Sequence, residues 1–338
     1  MITPKAFGQI IRHFDEVDKI VSSRTMRKRP WLEVALTSLL CDLLDEETQE
    51  EEKLTYTFKQ LQEDLRSEDD LFGLHLSLET IEFNPIYERY VSQSDIALNL
   101  IFENRIEPET SWTRPYLLQA KRLSPKQLNP LKYSESSSFI SIAKDQQKRI
   151  EILNKVLGFS YLKYLLFCPR PDYLDNDTKT KIAYLRNKSL SNQIFDYTVG
   201  LEAHKELLKD SETFKAGIFV TDTDNSNLNF GELHNKLLNS TFPLSWFIAM
   251  NFSDRHDFLR EISGNRKPID NDRNSKRQEI VEGILSGDRR KIDDLIKRIN
   301  EVGIEVPDNI QILPKHKITI RYVVGEQLSP DNQRLRNQ

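Results

Sequence analysis

Two short apolar segments constrain this chain more than any other stretch. The first, Ser94-Asp95-Ile96-Ala97-Leu98-Asn99-Leu100-Ile101-Phe102, opens with an acid. The second, Tyr116-Leu117-Leu118-Gln119-Ala120-Lys121-Arg122, ends on two bases. Both are short, aliphatic and bounded by turn formers, the pattern of buried strands. Side chains alternate along a strand, so Gln119 and Lys121 leave one face and Ala120 the other. Brought together as neighbours, the two strands place an acid, an amide oxygen and an ammonium at their ends. That donor set suits a hard cation with a lysine beside it.

The elements around this pair are helical or extended in alternation. Residues 5–22 carry Phe7, Ile10, Ile11, Phe14 and Val17 at helical spacing. Pro30 follows the basic cluster Arg24, Arg27, Lys28 and Arg29, and proline at a first helical position predicts a buried helix over 31–44. Glu33 stands in its first turn. A further helix is expected over 54–65, a half-buried strand over 71–83 and extended chain over 87–91. Residues 103–115 and 123–138 have the composition of loops. A helix over 140–157, with Gln146 interrupting its apolar stripe, is closed by Gly158. A strand over 161–168 is stopped by Pro169-Arg170-Pro171. The order helix, strand, strand, strand, helix, strand predicts an α/β fold: a mixed central sheet flanked by helices, with a mainly helical α+β C-terminal part.

Four regions are expected: an N-terminal helix over 1–29, the α/β core over 30–171, an extension or second domain over 172–275, and a helical region with one strand over 276–338. In the second half, helices are expected over 178–190, 194–210 and 233–238. Buried strands are expected over 216–220 and 244–250, a charged hinge over 254–275, and two helices within 276–302 broken at Ser286-Gly287-Asp288. One more strand is expected over 318–324, before a polar tail from Gln327.

Composition narrows the function classes. The chain has 338 residues, 38% hydrophobic and 30% charged, with a formal net charge of −4. That balance excludes a general nucleic-acid coat protein, yet leaves room for an enzyme with a local basic face. No apolar run is long enough to span a membrane, and the N-terminus lacks the pattern of a signal peptide. Cys41 and Cys168 sit in apolar runs, as buried thiols of a reducing cytoplasm do. The six histidines show no zinc spacing, and neither a glycine-rich phosphate loop nor a nucleophile elbow occurs. Asp222-Thr223-Asp224-Asn225 is a turn lacking the glycine and terminal glutamate of a calcium loop.

Glu33 on an early helix, Asp95 opening one strand and Gln119-Ala120-Lys121 on the next, followed by a helix with Gln146, resemble the PD-(D/E)XK nuclease superfamily, the restriction-endonuclease-like fold. The resemblance covers about residues 30–170. Its departure is Gln119, which stands where the usual motif has an acid; a Gln-x-Lys version resembles a branch related to methylation-dependent and archaeal restriction enzymes. The resemblance implies Asp95 as central ligand of Mg2+ or Mn2+, with Gln119 offering its amide oxygen, Ala120 its carbonyl and Glu33 a further carboxylate. It implies Lys121 as the group that positions water or stabilises developing charge, and Gln146 as support.

Residue chemistry agrees, because phosphodiester cleavage needs charge stabilisation and an activated water, and a hard cation supplies both. Blander readings stand beside it. Glu33 suits a helix-dipole partner, Asp95 with Lys121 a structural ion pair, and Gln146 a satisfied core amide. Glu79, Glu82 and Glu103 are alternative acids. Arg27, Lys28, Arg29, Arg122 and Lys126 flank the site as candidate phosphate contacts or as a solvated surface.

The expectation is therefore a cytoplasmic, Mg2+-dependent nuclease acting on DNA in preference to RNA, in bacterial restriction or anti-phage defence. Its expected partners are nucleic acid and a second copy or defence-system protein, with no membrane. One alternative is an inactive nuclease-fold subunit that only binds. Another is an interaction protein docking through residues 276–302.

Overall fold

The computed structural model describes residues 3–49, 54–68, 73–82, 95–139, 150–151, 153–154, 157, 161–191, 211–223, 228–252, 271–286, 288–301 and 314–325. The expected extended chain over 87–91, the helix over 194–210, most of the hinge over 254–275, Gln146 and the tail from Gln327 lie outside the described residues. The helices are α1 Pro4–Ser23, α2 Glu33–Leu43, α3 Phe58–Glu68, α4 Asn176–Ser191, α5 Phe230–Asn235, α6 Leu244–Phe252, α7 Asn271–Ser286 and α8 Arg289–Glu301. The strands are β1 Leu74–Glu82, β2 Ile96–Asn104, β3 Trp112–Arg122, β4 Gln127–Leu128, β5 Leu131–Lys132, β6 Leu162–Phe167, β7 Ile218–Asp222, β8 Thr241–Pro243 and β9 His316–Val324.

Seven strands form one mixed sheet in the order β1-β9-β2-β3-β6-β7-β8. β9, the last strand among the described residues, lies between β1 and β2, antiparallel to the first and parallel to the second. β2 and β3 run antiparallel, and β3 and β6 parallel. β6 and β7 are buried at every position, so helices or loops cover both faces there. β1 at the edge alternates instead, with Leu74, Leu76 and Leu78 turned inward.

One face of the sheet packs on α6 and, through it, on α1. Asn251 of α6 accepts from Arg114 and from the Tyr116 hydroxyl at 2.7 Å. Phe102, Trp112, Tyr322 and Phe252 stack there, with ring centroids 5.6 to 6.0 Å apart. Such pairs each contribute about 0.5–1.5 kcal/mol beyond area burial. The helical residues Ile150–Glu151 and Leu153–Asn154 lie over the opposite face, where Asn154 donates to Thr223 at 2.6 Å.

A buried charge cluster fastens α1 to the sheet. Arg170, after β6, reaches Asp15 at 2.8 Å and Asp18 at 3.0 Å. Asp18 also accepts the backbone N–H groups of Gly217 and Ile218, at the start of β7. A β-carbon on Gly217 would fall 2.4 Å from Ser22 Cβ and 2.6 Å from the Cys168 carbonyl oxygen, so only glycine fits this crossing.

Several expectations need correction. Residues 244–252 form a fully buried helix instead of a strand, because a short all-apolar run does not distinguish the two. α2 begins at Glu33, with Pro30–Leu32 extended ahead of it. Leu32 just before it and Val34 in its first turn are 69% and 60% exposed, although the helix is apolar on most sides. The loop expected over 103–115 shrinks to residues 105–111, since β2 and β3 continue past the apolar runs. The loop over 123–138 contains the β4–β5 hairpin. Two helices occur on either side of Ser286–Asp288 as expected, but the first already starts at Asn271, within the expected hinge.

Candidate functional site

The site lies where β2 and β9 begin and β3 and β6 end. Ile96 pairs with Leu118, and the Asp95 N–H donates to the Leu118 carbonyl at 2.8 Å, which sets Asp95 opposite Gln119. Asp95, Gln119 and Lys121 thus leave the same face of the sheet. Asp95 Oδ2 accepts from Gln119 Nε2 at 2.5 Å and from the Ala120 N–H at 2.8 Å. Gln119 and Lys121 are buried, and Asp95 is half-buried.

Glu33 arrives from the first turn of α2, whose end carries no side-chain cap. Its carboxylate turns to β3 instead: Oε2 accepts the Arg122 N–H at 3.2 Å, and Oε1 lies 3.6 Å from Lys121 Nζ. Six of the sequence-selected residues are therefore held in two sets of contacts side by side on β3, Glu33 to Lys121 and Arg122, and Asp95 to Gln119 and Ala120. Glu103, one of the alternative acids, sits at the opposite end of β2, paired with Arg105 and Arg321.

Electrostatics follow from burial. Desolvation pushes the Asp95 carboxyl up to about 6; the charge of Glu33 adds to the rise, while the Ala120 N–H, Lys121 and Lys315 oppose it. Burial also raises Glu33, against the pull of Lys121 and the Arg122 N–H. Two carboxylates with raised affinity for protons beside an ammonium make a site that gains from a further positive charge.

Gln119 meets the expected donor set in one respect and departs from it in another. Its amide nitrogen is directed at both Asp95 Oδ2 and, at 3.3 Å, the Ala120 carbonyl oxygen. These are the two oxygens expected to face a cation. An N–H donor between them satisfies both without metal; ligation by Gln119 requires the amide to turn over and present Oε1. Among the described residues no group of three or more His, Cys, Asp and Glu side chains could hold a metal. A cation here depends on Asp95 and Glu33 together with the Gln119 amide and the Ala120 carbonyl, an oxygen-only set that fits Mg2+ or Mn2+.

Two neighbours escaped sequence reading. Lys315 precedes β9 next to Asp95 and lies 3.9 Å from Glu82; nothing local in a C-terminal Lys-His pair signals that its strand inserts beside β2. Tyr164 pairs with Gln119 across β3 and β6, and its buried hydroxyl has no hydrogen-bond partner among the described residues. Its apolar surroundings in sequence point only to core. Arg27, Lys28, Arg29 and Lys126 are exposed near the site, while Arg122 is half-buried.

Compared with protein-family models, curated proteins and solved structures, the chain matches none. No helix among the described residues is long and apolar enough to cross a membrane.

Proposed function

We propose that this chain is a metal-dependent nuclease of the PD-(D/E)XK type in its Gln-x-Lys form, cleaving phosphodiester bonds and acting on DNA in preference to RNA. The observation that carries the reading is the meeting of Asp95, Gln119, Ala120, Lys121 and Glu33 at one end of a mixed sheet, through contacts of 2.5 to 3.6 Å. Asp95, the Ala120 carbonyl, the turned Gln119 amide and Glu33 would hold Mg2+ or Mn2+. A bound cation supplies charge for the phosphoryl oxygens and acidifies a water. Lys121, kept in place by Glu33, aims its ammonium at the attacking water or at a phosphate oxygen as charge develops. Lys315 adds positive charge on the other side of Asp95. The resemblance sets this activity in the bacterial cytoplasm, in restriction or anti-phage defence, with a second copy or a defence-system protein as partner.

The experiment is plasmid degradation with magnesium or manganese. Asp95→Ala and Lys121→Ala each reduce cutting by about 100-fold or more; variants that cut as well as the parent chain overturn the reading. A second reading, a nuclease fold that only binds, is favoured by the Gln119 amide nitrogen standing between Asp95 and Ala120. Calorimetric titration separates the two, since the binding-only chain takes up no magnesium at this site.

A further inference from the structure

Two exposed segments frame the candidate site. One runs from Arg27 into the first turn of α2, and the other is the β4–β5 hairpin. They are joined at their bases, where the buried Tyr133 hydroxyl donates to the Thr25 carbonyl at 3.0 Å. Glu33 is tied to the Arg122 N–H, and so to the strand that leads into the hairpin.

Apart from Glu33, whose carboxylate is turned to Lys121 and the Arg122 N–H, their charge has one sign. No acid occurs over residues 24–32 or 121–134, in a chain where acids outnumber bases by 52 to 48. Arg27, Lys28, Arg29, Lys126 and Lys132 are exposed. Trp31 holds the guanidinium groups of Arg24 and Arg27 over its ring, 5.5 and 5.1 Å from the centroid. Such a surface is complementary to a polyanion.

The second observation is aliphatic. Leu32, Val34 and Leu128 are 69%, 60% and 66% exposed, and all three lie in these two segments. Leu32 and Val34 flank Glu33. A duplex turns phosphates and groove edges outward and keeps its base faces stacked. An unpaired strand offers phosphates and base faces together, which calls for cations and apolar surface side by side.

We propose that this surface binds single-stranded nucleic acid. The phosphate chain runs along Arg27–Arg29, Lys126 and Lys132, and unpaired bases lie on Leu32, Val34 and Leu128. Delivery of one phosphate to Asp95 and Lys121 rests on the nuclease reading; binding of the strand does not.

The test is fluorescence anisotropy in EDTA, which reads binding without cleavage, using labelled oligo(dT) and a duplex of equal length. The strand is expected to bind about tenfold or more tightly than the duplex, and the triple variant Leu32→Ser, Val34→Ser, Leu128→Ser to lose about tenfold for the strand with the duplex little changed. Because the three side chains are exposed, the variant keeps its fold, and unchanged duplex binding checks that. Equal binding of strand and duplex, an unaffected triple variant, or no binding of either nucleic acid each overturns the proposal. A chain that cuts plasmid with magnesium but shows no strand preference keeps the nuclease reading and loses this one. A chain that prefers the strand but cuts nothing does the reverse.

Discussion

At the scale of single residues, Asp95 carries the site's pH dependence. Its carboxyl titrates at about 6 in the folded chain, above the ordinary 3.8. The folded state therefore binds this proton more tightly than the unfolded state does. The stabilisation is complete below the unfolded value and is lost as pH rises through about 6, at a cost of about 1–3 kcal/mol. Asp95→Asn removes the ionisation and keeps an oxygen for Gln119 and Ala120 to donate to. In EDTA at pH 7.5 it should raise the melting temperature while abolishing magnesium binding. In the parent chain, magnesium affinity measured by calorimetry should fall as pH drops below about 6, because cation and proton compete for Asp95. Gln119→Glu supplies the missing acid but replaces an N–H donor with a second buried charge. It should destabilise the metal-free chain by about 1–3 kcal/mol and increase the melting-temperature gain on adding magnesium. Gln119 and Lys121 were legible in sequence because the period of a strand is two. Gln119's amide orientation was not, since it depends on a residue 24 positions away.

At the scale of elements, the sequence marks a helix or strand best where polar and apolar residues alternate. α1 and α8 show their faces in the spacing of their residues. The run over 244–252 has no polar face, and only its surroundings make it helical. The Arg170 cluster was also hidden, because Asp15 and Asp18 lie on α1, more than 150 residues away. Arg170→Met should cost about 3–5 kcal/mol in chemical denaturation, since it leaves buried carboxylates without their cation. The loss should shrink at lower pH. Burial and the charge of Asp15 already raise Asp18, and with Arg170 gone it takes up a proton more readily.

At the scale of the whole molecule, the sheet closes through its last strand. The sequence predicts strands in order, but hydrophobic pattern carries no information about which strand lies beside which. β9 joins β1 to β2 and brings Lys315 to Asp95, so the candidate site depends on both halves of the chain. A chain ending at residue 313 leaves β1 and β2 without the strand between them. It should lose cooperative unfolding, as measured by circular dichroism, along with magnesium-dependent activity. The central claim remains the joint action of Asp95 and Lys121 on a phosphodiester, and single-turnover cleavage of labelled DNA with magnesium addresses it most directly. Lys121→Met, folded and binding DNA, is expected to cut about 100-fold or more slowly than the parent chain. Cutting at the parental rate by Lys121→Met and Asp95→Asn alike contradicts it.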